Sequence, residues 1–294
     1  MGSEIFVGNL QDLEKVFMLF KQLTEASAVV GYRLSNGAIT WGEIADAREI
    51  PIGVSDVQGP GSYRLEQGGK FRHSFFSPKM FLHPPEQAVI AVSKDYSVDL
   101  YIGGESKVIL FGIKPCDAKA IEVLDSILAL NKHPLYIRLR RSVVGIVVEE
   151  CLEPSGTCFC SAVGAGPSAV GGFDIAYARL DGDVILFRYG SLLGRMVLRE
   201  AGVRRAEQHY IERYTELLEQ ARVKMLGRVP GVEDIQKALH ECIREPLLWY
   251  SLAARCVGCG NCNYVCPTCF CLEIIDEVDD SYTCLLYTSP SPRD

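Results

Sequence analysis

Apolar residues recur at helical spacing in QDLEKVFMLFKQLTEA (11–26), which predicts an amphipathic helix. Four runs then predict strands: AVVGYRL (28–34), AVIAVSK (88–94), KVILFGI (107–113) and SVVGIVV (142–148). Two of them are almost wholly apolar, which suits strands covered on both faces. Between the last two lies DAKAIEVLDSILAL (117–130), a helix for which Asp117 is an acceptable N-cap. Strand, helix, strand at this spacing is a βαβ unit with a parallel pair. FDIAYARLDGDVILFRYG (173–190) alternates around Asp181 and Gly182 and predicts a hairpin. The stretch 51–72 carries several glycines and prolines and reads as a long irregular loop. From about 205 to 255 the pattern is helical.

The expected architecture is an α/β domain with a partly parallel sheet at 1–204, a helical connector at 205–245, and a smaller unit at 246–283. The net charge of −7 argues against a nucleic-acid surface or an anionic membrane as partner. No apolar run approaches the roughly 20 residues that a membrane span needs. MGSEIFVGNL lacks a basic region followed by a long apolar stretch, so no export signal is expected. Twelve cysteines must then be explained without an oxidising compartment. Grouped cysteines in such a chain favour metal binding over disulfides. A cytoplasmic, oxygen-poor setting is the expectation.

Cys256, Cys259, Cys262 and Cys266, followed by Pro267, spell C-x2-C-x2-C-x3-C-P. In bacterial ferredoxins the first three such thiolates hold one [4Fe-4S] cubane and the fourth ligates another. Gly258 and Gly260 permit the positive φ that close wrapping of a cluster requires. Zinc also uses C-x2-C pairs, but a third cysteine two residues on and then C-P is not its pattern. The flank LEIIDEVDD (272–280), read as an acidic helix, would lower the potential of a neighbouring cluster or form a solvated face.

A second set lies in the α/β domain. Cys116 follows one strand of the βαβ unit and Cys151 follows the other, with Cys158 and Cys160 on the next loop. Parallel strands would bring all four to the carboxyl edge of the sheet, where α/β folds place ligands. A further cluster, zinc, or small buried hydrophobes are the readings this set leaves open. Cys242, alone in a helix, is expected in the core. GAGPSAVGG (164–172) matches no phosphate-binding motif and reads as a loop. RLRR (138–141) reads as a solvated turn or a docking patch. The five histidines show no ligand spacing, and no nucleophile stands among acid–base residues, so no catalytic residue is expected.

SPKMFLHPPEQ (77–87), GIKPCD (112–117), C-x6-CFC (151–160) and CVGCGNCNYVCPTCFC (256–271) resemble the dicluster iron–sulfur β subunit of cytoplasmic sulfhydrogenases and the related A subunit of anaerobic sulfite reductase. The resemblance spans about 70–280. It implies a ferredoxin-like dicluster domain with two [4Fe-4S] clusters, and one more in the α/β domain. The implied role is electron transfer, between a partner subunit using flavin and NAD(P)H and a catalytic hydrogenase or sulfite reductase subunit. Cys256, Cys259, Cys262 and Cys266 match the family's first ferredoxin motif. The second such run is missing here. CLLYTSPSPRD (284–294) reads like a translated sequencing adaptor, so a truncated gene is expected and 284–294, with Cys284, is set aside. The roles of Cys269 and Cys271 stay open. A zinc-stabilised interaction module and a flavin-containing reductase are the alternatives.

Overall fold

The computed structural model describes residues 4–59, 62–68, 73–74, 76–85, 87–100, 106–270, 273–278 and 284–289. Strand β1 (Ile5–Gly8) leads into helix α1 (Leu10–Thr24). The helix begins there because Asn9 and Asp12 cap each other: the Asp12 N–H donates to the Asn9 side chain at 3.2 Å, and the Asn9 N–H donates to the Asp12 carboxylate at 3.1 Å. Leu13, Val16, Phe17 and Phe20 form its buried stripe, each side chain contributing about 1.5–3 kcal/mol. Strands β2 (Ala28–Ser35) and β3 (Ala38–Glu43) follow as an antiparallel pair.

The stretch expected to be an irregular loop is instead an antiparallel hairpin, β4 (Val54–Gly59) with β5 (Ser62–Gln67). Strand β6 (Gln87–Val92) also forms, but with β7 (Val98–Leu100) in a separate sheet. Only Ala91 of it is buried, so it is not one of the doubly covered strands.

The βαβ unit is present and longer than expected. Strand β8 (Val108–Ile113) leads into helix α2 (Pro115–Leu124), a π-helical turn over Asp125–Ala129, helix α3 (Pro134–Ser142) and strand β9 (Val143–Glu149). β8 and β9 pair in parallel. Asp117 is not the N-cap. Lys114 occupies that position, Pro115 takes the first helical place, and the Asp117 carboxylate accepts from the Lys114 N–H at 3.4 Å. RLRR forms the end of α3 rather than a turn, and Arg140 pairs there with Asp125 at 3.1 Å.

The expected hairpin is β10 (Ile175–Arg179) with β11 (Ile185–Tyr189), followed by helix α4 (Leu192–Ala201) and strand β12 (Arg204–Arg205). The eight-stranded sheet runs β12-β1-β11-β10-β9-β8-β2-β3. Its centre, β10-β9-β8-β2, is parallel and its flanks are antiparallel. Successive side chains of a strand face opposite sides. Ile109 and Phe111 accordingly pack against α1 and α4, and Leu110 packs against α2 and α3. The result is an α/β/α sandwich.

Helix α5 (Gln208–Met225) buries Tyr214, Ala221 and Met225, with Tyr214 packed on Val7, Ala178 and Leu186. Helices α6 (Val232–Cys242) and α7 (Pro246–Ala253) bury no residue. Cys242 therefore sits half-buried at the end of α6 rather than in the core. Helix α8 (Asn261–Val265) follows. The acidic flank is strand β13 (Glu273–Val278), not a helix. Part of the segment set aside, β14 (Cys284–Ser289), pairs antiparallel with both β13 and β6, giving the sheet β13-β14-β6-β7.

Candidate metal centre

Parallel pairing of β8 and β9 puts the two following segments side by side at the carboxyl edge of the sheet. Cys116 stands in the first turn of α2, and Cys151 lies two residues beyond β9. Cys158 and Cys160 come back on the loop that follows. All four line one mostly apolar cavity of about 630 Å³, together with His73, Met225 and Cys266. None of the four thiols is in a disulfide.

Several contacts hold this edge in place. The Cys151 N–H donates to the Pro167 carbonyl at 3.1 Å, and the Ala165 N–H to that of Cys160 at 2.9 Å. Arg228, just past α5, donates to the carbonyls of Ser155 at 2.5 Å and Cys158 at 2.9 Å. The Cys160 sulfur rests 3.7 Å from the Met225 sulfur. A Cβ added at Gly166 would come within 2.8 Å of that Cys160 sulfur, so the backbone passes as close to the thiol as a glycine allows.

Beneath the thiols lies a buried charge group. Lys114 pairs with Glu149 at 3.0 Å, and both side chains are only 4% exposed. Arg179 reaches the other oxygen of Glu149 at 3.2 Å. Next to them, Glu150 accepts from Arg188 and from the Tyr214 hydroxyl at 2.7 Å. The two segments that carry Cys116 and Cys151 are thus clamped to each other and to α5.

Burial pushes the Cys116 thiol well above its ordinary value, with Asp117 and then Cys151, Cys160 and Cys158 adding to the rise. Burial also raises Cys151, against the pull of Lys114. Cys158 is raised by burial, and Cys160 is pushed up to about 11 by burial and by Cys158. The thiolates of Cys116, Cys151 and Cys160 are disfavoured by neighbouring thiols, and a bound cation relieves that repulsion. The donor set therefore fits a cationic, thiophilic group.

Spacing bears on whether a single zinc fits these thiols as they stand. A tetrahedral zinc, with sulfur about 2.3 Å from the metal, sets its sulfurs roughly 3.8 Å apart. Among the described residues, the one set of three donors within 4.8 Å of one another is His73, Cys116 and Asp117. No three of the four thiol sulfurs are that close. His73 had no ligand spacing in the sequence; its N–H donates to the Asp56 carboxylate of β4 at 2.6 Å, and its ring lies beside Asp117 at 3.9 Å, next to Cys116.

The ferredoxin-type run is laid out differently. Cys256, Cys259 and Cys262 are exposed. Gly258 and Gly260 both take positive φ, at 64° and 70°, and the Gly258 N–H donates to the Cys256 sulfur at 3.3 Å. Cys262 and Cys269 both turn toward the side-chain oxygen of Asn263, at 3.9 and 3.2 Å. Cys271 lies outside the described residues.

Cys266 stands elsewhere, in the wall of the α/β cavity, with its sulfur 3.4 Å from the Thr268 hydroxyl. Burial opposes its ionisation, but hydrogen bonds from Thr268 and Cys269 and the charge of Lys79 outweigh that, and its value falls below the ordinary one. A lower value means more thiolate at a given pH. In metal-free protein near pH 8, iodoacetamide is expected to modify Cys266 before Cys116 and Cys151. Peptide mass spectrometry reads the order, and faster labelling of Cys116 or Cys151 would contradict this picture.

No protein-family model matches the chain, and no solved structure matches it. A curated protein that matches is the sulfhydrogenase 2 subunit beta of Pyrococcus furiosus. It is 30% identical over 250 residues, an alignment covering 79% of this chain and 71% of that protein.

Proposed function

The chain belongs to the family of the sulfhydrogenase β subunit, and on that premise we propose that it is an iron–sulfur electron-transfer subunit of a multisubunit redox enzyme. Its partners are a flavin subunit using NAD(P)H and a catalytic subunit of the hydrogenase or sulfite reductase type. The observation that carries the reading is the gathering of Cys116, Cys151, Cys158, Cys160 and Cys266 around one cavity. Cys256, Cys259 and Cys262 stand on the same short segment as Cys266. When bound, [4Fe-4S] clusters supply one-electron carriers.

The chain's own residues do the rest. Cys116, Cys151, Cys158 and Cys160 are the ligands for a centre in the α/β domain. Cys256, Cys259, Cys262 and Cys266 are those of the ferredoxin-type clusters. The apolar wall around Met225 and Val163 limits water at the first centre, and exclusion of water helps to set a cluster's potential. The chain itself carries no catalytic residue. No helix among the described residues is long and apolar enough to cross a membrane, and a cytoplasmic location is part of the proposal.

A second reading is a mononuclear zinc at His73, Cys116 and Asp117, whose donor atoms lie within 4.8 Å of one another. Anaerobic reconstitution of the full chain separates the two. The expected product is brown, holds iron and acid-labile sulfide in equal amounts, and bleaches with dithionite. A colourless protein containing only zinc would refute the proposal.

A further inference from the structure

Lys79 has an environment that calls for a reason. Its side chain is buried, with the residue only 6% exposed, and burial of an ammonium is costly unless it is paired. It stands in a short 3-10 turn, Pro78–Phe81, whose entry is capped by the Ser77 hydroxyl accepting from the Lys79 N–H at 3.2 Å. The ammonium leaves that turn and donates to the carbonyl of Asn263 at 2.5 Å and that of Cys266 at 2.8 Å. Those carbonyls belong to the C-terminal end of α8, where a cation is favoured. A residue from the α/β half thus caps the short helix that holds Cys262 and ends at Cys266. The Cys266 side chain, anchored through its own carbonyl, lines the cavity of Cys116, Cys151, Cys158 and Cys160.

We propose that Lys79 is a positioning residue that fixes Cys266 against the α/β cavity and thereby joins the two thiol groups into one electron path. The inference rests on the iron–sulfur reading above. Were clusters bound at both thiol groups, one electron would leave one as the other takes it up. No bond is made or broken, and the electron comes from the NAD(P)H-linked flavin partner or an artificial one-electron donor. Lys79 acts twice, through geometry and through charge. The hydrogen bonds fix how far Cys266 stands from the cavity. The positive charge favours the reduced, more negative state of whatever Cys266 ligates.

The test uses the full chain, reconstituted anaerobically, as wild type, Lys79→Met and Lys79→Arg. Iron content and circular dichroism are measured first. In the fully reduced wild type, paramagnetic resonance is expected to show signals split by interaction between neighbouring centres. Lys79→Met should lose that splitting and shift one midpoint potential downward in a redox titration. Lys79→Arg, which keeps the charge and the donors, should retain the potential. Should Lys79→Met lose iron altogether, Lys79→Arg alone decides: a wild-type potential supports the charge role and a Met-like loss overturns it. Unchanged splitting and potential in an iron-loaded Lys79→Met would overturn the inference while leaving the iron–sulfur reading intact. A wild type that takes up no iron defeats that reading, and the inference with it.

Discussion

Changing Cys116 and Cys151 together to serine is expected to remove about four iron atoms per chain from the reconstituted protein, the content of one cubane. Both thiols stand at the carboxyl edge of β8 and β9 and line the same cavity as Cys158 and Cys160. These two positions, next to strand ends, are the half of the set that the loop cannot replace by moving. Serine keeps the side-chain size, and neither thiol belongs to the buried apolar clusters that hold the sandwich together. The far-ultraviolet spectrum should therefore stay that of the wild type while the visible absorbance falls. Iron, sulfide and paramagnetic resonance are measured on the same sample. A double variant with wild-type iron content would show that the α/β set holds no cluster.

The second large effect falls on stability. Glu149→Ala is expected to cost about 3–5 kcal/mol, because it strands a buried Lys114. Lys114 and Glu149 are each 4% exposed at 3.0 Å, so no water can replace the lost carboxylate at small cost. Arg179 is 18% exposed and can turn toward solvent. Replacing the pair together, as Lys114→Met with Glu149→Leu, should recover most of the loss, since an apolar pair of similar volume avoids desolvating two charges. Urea denaturation of the iron-free protein, in single and double variants, measures both terms. A cost below about 1 kcal/mol for Glu149→Ala would mean that the ion pair is not a structural clamp.

Where local pattern and topology agree, the sequence already shows the arrangement. The apolar runs 107–113 and 142–148 with a helix between them require a parallel pair, and that pair carries Cys116 and Cys151 to one edge. Other features were misread because one local signal masked another. Pro115 marks the first position of α2, yet Asp117 is the more familiar start signal. Glycine and proline dominate 51–72, although Tyr63 and Leu65 alternate with polar residues as a strand does. The rest is not local at all. His73, Met225 and Cys266 reach the cavity of the α/β thiols from distant parts of the chain, Lys79 reaches the carbonyls of Asn263 and Cys266, and no periodicity marks a residue whose partner is 184 or 187 positions away. Strand β14 belongs to the same class, since its neighbour β6 is fixed only by tertiary pairing.

The walls of the thiol cavity come from residue 73 at one extreme and residue 268 at the other. A ribosome-bound chain cannot complete that chamber until residue 268 has emerged, and closing loops of such length is slow. Arg228 adds a further distant tie, holding the carbonyls of Ser155 and Cys158. Any inorganic group that those thiols are to hold would therefore have to arrive after these distant segments have met.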